Sequence, residues 1–211
     1  MLFRSVPFAA GGGTDILARI VAKNMSESLG VQVVVENKPG GNTLVATEAL
    51  VRAAPDGYTL LMQTNNLASN VTLYAGKLSF DTLRDIAPVV LVAGNPHVLV
   101  VNPGVKALNL REFVALAKSN PGSLSFASAG SGTVNHLAGE QLKILANIDM
   151  LHIPYTGSGS VLPDLLGGQI NALFGATPNV MPLIREGKLR ALAVTTPGRF
   201  KNLPSVQIGR A

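Results

Sequence analysis

Cysteine and tryptophan are absent from this chain of 211 residues. Without Cys there can be no disulfide, no thiolate nucleophile and no Cys-built metal site. Aromatic residues make up only 5% and charged residues 14%, and Lys and Arg are scattered singly. Nucleic-acid binding needs a gathered basic patch, so the formal charge of +5 does not support that class, and no nucleic-acid partner is expected. No apolar run is long enough to span a bilayer. A secretory leader is also lacking, because Met1-Leu2-Phe3-Arg4-Ser5-Val6 has no basic region, no long apolar region and no cleavage site. A leader on an exported parent would therefore be missing here. There is no GxSxG elbow, and both Gly-Lys pairs, at Gly76-Lys77 and Gly187-Lys188, are followed by Leu and not by the Ser or Thr of a phosphate loop. The expectation is no cofactor, no metal and no enzymatic activity.

What is present is a large apolar fraction, 47%, arranged in two alternating patterns. Short Val- and Leu-rich runs read as buried strands, and longer stretches of period 3.6 read as helices. Strands are expected at 2–6, 31–36 and 58–63, with helices between them at about 14–29 and 42–53. Ile16, Leu17, Ile20, Val21 and Met25 are expected to form the buried face of the first helix. Strand–helix repetition with short loops predicts parallel sheets covered by helices. In the middle, Ile86 to Ala93 and His97 to Asn102 are apolar runs separated only by Gly94-Asn95-Pro96, which suggests two strands crossing between lobes. Alternation then resumes, with helices near 110–119, 134–145, 161–166 and 180–185 and strands near 124–127, 150–153, 170–174 and 189–195. The expected fold is α/β, with two parallel-sheet lobes, 1–97 and 98–211, and a cleft between them. Pro197 to Ala211 is short and polar, with no helix of its own.

Chemistry concentrates in loops between strands and helices. Phe8-Ala9-Ala10-Gly11-Gly12-Gly13-Thr14-Asp15 follows a strand and opens a helix. Glycines allow close backbone approach, and a helix start offers unpaired N–H groups and partial positive charge, which together make an anion seat. The alternative is a glycine-rich turn with Asp15 merely opposing the helix dipole. Ser128-Ala129-Gly130-Ser131-Gly132-Thr133, followed by His136, repeats this placement in the second half. Taken alone it could be a Ser/Gly connector; paired with the first loop it suggests two anion seats facing each other. Tyr155 to Ser160 repeats the design, and Thr64-Asn65-Asn66 with Asn70 offers further polar groups that could bind a ligand or cap a turn. His136 and Glu140 have a metal-compatible spacing but too few companions, so a structural histidine is the plainer reading.

These segments, with Val35-Glu36-Asn37-Lys38-Pro39-Gly40-Gly41-Asn42, Pro55-Asp56-Gly57-Tyr58, His152-Ile153-Pro154-Tyr155-Thr156-Gly157, Asp164-Leu165-Leu166-Gly167-Gly168-Gln169 and Gly187-Lys188-Leu189-Arg190-Ala191-Leu192, resemble the periplasmic solute-binding component of the tripartite tricarboxylate transporters, the Bug or TctC receptors. The resemblance implies a type II periplasmic-binding-protein fold and capture of a small organic carboxylate. It also implies a monomer that delivers its ligand to a membrane permease. By motif match, the ligand would meet Phe8, Ala9, Ala10, Gly12, Gly13, Thr14 and Asp15 from one loop. From the other it would meet Ser128, Gly130, Ser131, Gly132 and Thr133, with His136 just behind. Asn70 falls where the family often has Asn before a Leu-Tyr pair, and Thr64 lies beside it. Val71 replaces a common Pro, and Gly175 stands where an Asp is frequent. After Leu203-Pro204 the pattern breaks off, so a truncated chain with an incomplete first lobe is expected. Two other readings are a non-functional remnant of such a receptor and a small-molecule enzyme using His136 with Ser131.

Overall fold

The computed structural model describes residues 2–208, and the chain divides after Leu91. Met1 and residues 209–211, the tip of the polar ending, lie outside the described residues. In the first unit, strand β1 (Leu2–Val6) is central. Strands β2 (Val33–Asn37) and β3 (Thr59–Leu61) pair with it in parallel, one on each side. Helix α1 (Gly13–Leu29) connects β1 to β2. A single 3-10 turn, Gly41–Thr43, leads into α2 (Leu44–Val51), and α3 (Asn66–Leu73) follows β3. The third helix was not expected, because Asn66, Ser69, Asn70 and Thr72 break the apolar periodicity that marks a helix in a sequence.

The expected face of α1 is partly wrong. Val21 and Met25 do pack against β-strand residues Val35, Val33 and Val6. Ile16 and Ile20, however, are 49% and 54% exposed, and the buried row is Asp15, Ala18 and Ala22. Small alanines let the helix approach the sheet closely, and the hydrogen bonds of Asp15 described below fix its rotation. The expected strand over Ile86–Ala93 does not form; Val89, Val90 and Leu91 are 81%, 73% and 86% exposed. A strand needs a hydrogen-bonding neighbour, and this segment pairs with none among the described residues.

The second unit begins at Val92. Its strands are β4 (His97–Val101), β5 (Ser125–Ser128), β6 (Leu151–Pro154), β7 (Ala172–Ala176), β8 (Arg190–Val194) and β9 (Gln207–Ile208). They form one sheet in the order β6-β5-β7-β4-β8-β9. Pairing is parallel except at β4, which runs antiparallel to both neighbours. Strand β4 opens this unit and lies between β7 and β8, which are joined by α7 and run in one direction on either side of it. The polar ending, expected to have no helix of its own, contributes β9 against β8.

Helices α4 (Leu110–Ser119), α5 (Val134–Ala146), α6 (Ser158–Leu166) and α7 (Thr177–Arg185) cover both faces. Alternation along β4 sorts the core. Leu99 and Val101 join Phe113, Ala117 and Phe126 beneath α4 and α5. Val98 and Val100 join Val161, Leu165, Val180 and Met181 beneath α6 and α7. Each fully buried Val, Leu or Phe contributes about 1.5–3 kcal/mol of transfer free energy.

Candidate functional site

In the first unit all three strands are parallel, so the loops after β1, β2 and β3 leave the same edge. The loop Phe8–Asp15 is organised by Asp15, which is only 2% exposed. Its carboxylate accepts from the Gly11 N–H at 2.9 Å, Arg19 Nε at 3.0 Å and Asn37 Nδ2 at 2.9 Å. Burial pushes its pKa up, but the Arg19, Gly11 and Asn37 hydrogen bonds and the Arg19 charge outweigh burial and hold it below the ordinary carboxylate value. Asp15 therefore stays ionised and shapes the loop from behind. Asn37, at the end of β2, also donates to the Phe8 carbonyl at 3.0 Å. Phe8 packs beside Val6 and Met62, while Ala9 and Ala10 are exposed. Gly12 caps α1 in an extended conformation, so Gly13, Thr14 and Asp15 supply the first-turn amides of the helix.

A second cluster on this edge joins Asn42, Thr43, Gln63, Thr64, Asn66 and Asn70. The Asn42 Nδ2 group donates to Asn70 Oδ1 at 2.7 Å, and Asn70 Nδ2 returns a bond to the Asn42 carbonyl at 2.8 Å. Asn66 Nδ2 reaches Asn42 Oδ1 at 2.9 Å, and the Thr64 hydroxyl donates to Asn66 Oδ1 at 3.0 Å. Thr43 sits at φ 75°, a left-handed conformation costly for a β-branched residue. Asn70 and Gln63 hold its hydroxyl at 3.3 and 3.2 Å. Asn70, singled out for ligand contact, is 2% exposed, and its amide is engaged in holding this turn. Asn66 belonged to the Thr64-Asn65-Asn66 candidate, whereas Asn37, Asn42 and Thr43 were not singled out; the available signal was the placement of Asn at a strand end and before Thr.

In the second unit, β5, β6 and β7 are parallel, so loops 128–133, 155–158 and the start of α7 share an edge. The Tyr155 N–H donates to the Ser128 carbonyl at 3.0 Å, joining two of these loops. Ser128 is buried; its Oγ accepts from the Gly130 N–H at 3.1 Å and lies 2.7 Å from His152 Nε2. Thr133 donates its hydroxyl to the Gly130 carbonyl at 2.6 Å, and the Gly132 N–H donates to His136 Nδ1 at 3.0 Å. Gly132 and Thr133 are buried and Ser131 is exposed. Thr133 caps α5 in an extended conformation, leaving Val134, Asn135 and His136 to supply the first-turn amides. Asn135 anchors this turn by donating its side-chain amide to the Phe174 carbonyl. His152, which was not singled out as a site residue, stacks on His136 with ring centroids 4.0 Å apart. Gly139 makes this packing possible, because a Cβ there would stand 2.1 Å from the Phe126 ring.

Each edge thus presents a glycine-rich strand-to-helix loop, with Ala9 and Ala10 exposed on one and Ser131 exposed on the other. Residues 17–210 match the family described as "tripartite tricarboxylate transporter family receptor". The chain belongs to this receptor family. Among its receptor relatives, Protein BugT of Bordetella pertussis is 40% identical over 205 residues, covering 95% of this chain and 62% of BugT. The chain spans 60–62% of the length of such curated relatives. A solved R. palustris structure with adipate superposes with a TM-score of 0.94 at 29% identity, covering 99% of this chain and 70% of that one. MatC of Rhodopseudomonas palustris with bound malate gives 0.89 at 30% identity, covering 99% and 71%. The fold is that of periplasmic binding proteins.

The receptor family consists of substrate-binding proteins rather than enzymes. Among the described residues a side-chain hydroxyl meets a histidine ring at one place. That hydroxyl belongs to Ser128, which is fully buried, and not to Ser131. Gly175 stands where the resemblance makes an Asp frequent, and a Cβ there would come within 2.3 Å of the Val180 side chain.

Proposed function

We propose that this chain is the ligand-binding region of an extracytoplasmic receptor. It captures a small organic carboxylate and passes it to the membrane permease of a tripartite tricarboxylate transporter. The chain acts as a monomer, and the Phe8–Asp15 loop of the first unit and the Ser128–Thr133 loop of the second are each a seat for a carboxylate. The observation that carries this reading is the loop ahead of α5. There a strand end, a hydroxyl-rich turn and the first amides of a helix of 13 residues converge without a cationic side chain. Such a seat favours an anion by hydrogen bonding and by the helix dipole. Adipate and malate in the two R. palustris structures support dicarboxylates as the first probes.

Calorimetry and thermal shift with malate, adipate and citrate test the proposal. A true ligand present at about a hundred times its Kd should stabilise the chain by about 2.7 kcal/mol. The seat itself is tested by Val134→Pro, since proline is tolerated at the first helical position but removes one N–H. The extended Thr133 before it, at φ −70° and ψ 162°, already suits a residue preceding proline. Loss of one hydrogen bond to a charged group should weaken binding by about 1.5–3 kcal/mol. No response to any of the three acids would sink the receptor reading.

A further inference from the structure

Behind the Ser128–Thr133 loop lies a side-chain cluster that ligand capture does not itself require. Strand β5 carries Phe126 and Ser128 on one face, and β6 sets His152 directly beside Phe126. Helix α5 lays His136 over them. The two imidazoles stack at 4.0 Å, and Phe126 stacks on His152 at 4.9 Å. Each imidazole then reaches one point of the loop. His136 Nδ1 accepts the Gly132 N–H at 3.0 Å. His152 Nε2 meets Ser128 Oγ at 2.7 Å, and that oxygen also accepts the Gly130 N–H at 3.1 Å.

We propose that His136 and His152 are positioning residues: a stacked, uncharged pair that holds the Gly130–Gly132 turn in its ligand-receiving shape and makes carboxylate binding fail on acidification. The proposal rests on the receptor reading above. Its physical core is a tautomer argument. To accept the Gly132 N–H, His136 Nδ1 must offer a bare lone pair, so the ring proton sits on Nε2, which faces Glu140 Oε1 at 3.9 Å. A second proton can only add at Nδ1, where the Gly132 hydrogen already points. Protonation therefore breaks the bond that fixes the turn. Two charged rings stacked at 4.0 Å would also repel each other.

Among the described residues, the charged groups acting on the pair are Glu140 and Lys143, both on α5; β5 faces it with Phe126 and Ser128, which carry no charge. Glu140 would favour protonation, but it is itself paired with Lys143 at 3.1 Å. Burial is the main cause that lowers both histidines; the Glu140 charge opposes it for both, and the Lys143 charge adds to it. His152, which also feels the His136 charge, is pushed down to about 4. Both rings are thus neutral at pH 7. Because the folded pKa values are depressed, the arrangement is fully present above the ordinary histidine range. It is lost as pH falls from there toward about 4.

The test measures malate affinity by calorimetry between pH 8 and pH 3.5 for three forms of the chain, a range that passes through the depressed titration of the pair. In His136→Asn the side-chain oxygen can accept the Gly132 N–H but cannot titrate. In His136→Ala the acceptor is gone. Malate's own protonation is common to all three, so the ratio to His136→Asn isolates the protein. The parent chain should lose affinity relative to His136→Asn by about tenfold per pH unit once the pair titrates. The Ala form should bind about tenfold more weakly than the parent at pH 8, where the parent's His136 is neutral, the effect of losing about 1.4 kcal/mol of loop ordering. A parent-to-Asn ratio that stays constant across the range, or an Ala form that binds like the parent at pH 8, overturns the proposal. If none of the three forms binds malate, adipate or citrate at any pH, the receptor reading fails. The positioning claim is then decided by NMR on the unliganded chain. Protection of the Gly132 amide at pH 7.5 that disappears at pH 3.5 in the parent, but persists in His136→Asn, supports it. Unchanged protection in the parent overturns it.

Discussion

Asp15 shows how one residue sets the geometry of a loop. It lies at the start of α1, where a negative charge favours the helix dipole, but its larger effect is to gather Gly11, Arg19 and Asn37 around one buried carboxylate. Asp15→Ala leaves the Gly11 N–H and the Asn37 amide without their acceptor. It should cost about 1–3 kcal/mol in urea unfolding. Its pH dependence has a definite sign. A carboxyl held below the ordinary value contributes its stability above that value and loses it as pH falls through the folded pKa. Asp15→Asn should therefore flatten part of the acid limb of the stability profile, read as the unfolding midpoint against pH. An unchanged acid limb would show that the network carries no net energy. Thr43 is a second case at this scale. Its left-handed φ of 75° marks a strained position, kept in place by Asn70, Gln63 and Thr47.

At the scale of elements, two contacts decide how helices lie on sheets. Helix α5 approaches β5 at Gly139, where a Cβ would stand 2.1 Å from Phe126. Gly139→Ala should push the helix outward and lower stability by about 1–3 kcal/mol, measurable as a drop in Tm. Because Phe126 stacks on both histidines, the same substitution should also disturb their NMR resonances. Helix α1 gives the opposite lesson. Its Ile20 is 54% exposed while Ala22 is 4% exposed. Ile20→Gln should change stability by no more than about 0.5 kcal/mol, whereas Ala22→Leu should cost about 1–3 kcal/mol by overpacking. The reverse result would place the buried row of α1 where the apolar periodicity put it, not where the structure does.

For the whole molecule, the two units differ in how much core they own. The second has a sheet of six strands with buried clusters on both faces, including Phe113, Phe126, Leu99 and Leu173. The first has three strands and small clusters around Val6, Ala18, Met62, Ala22 and Val33. Local opening free energy follows buried apolar contact. Hydrogen exchange should therefore be slowest in β4, β5 and β7 and measurably faster in β1, β2 and β3. Equal protection in the two sheets would contradict this ranking. The exposed run Val89-Val90-Leu91 should exchange fastest of all the apolar segments, since it pairs with no strand.

The sequence by itself determined nearly every strand and most helices, because they depend on local pattern: apolar runs at strand spacing, amphipathic stretches, and Gly, Pro and Asn at the breaks. It also located both glycine-rich strand-to-helix loops, since a glycine-rich turn between a strand and a helix is a local signal. Only the tertiary structure decided the rest. Whether Ile86–Ala93 becomes a strand depends on a partner, and partners are not local. The rotation of α1 was set by Asp15 meeting Asn37, 22 residues away. The pairing of Ser128 with His152 and the antiparallel course of β4 likewise depend on residues brought together across 24 and about 75 positions. Hydrogen bonds and packing act through distance in space, and neither separation leaves a mark in the order of residues.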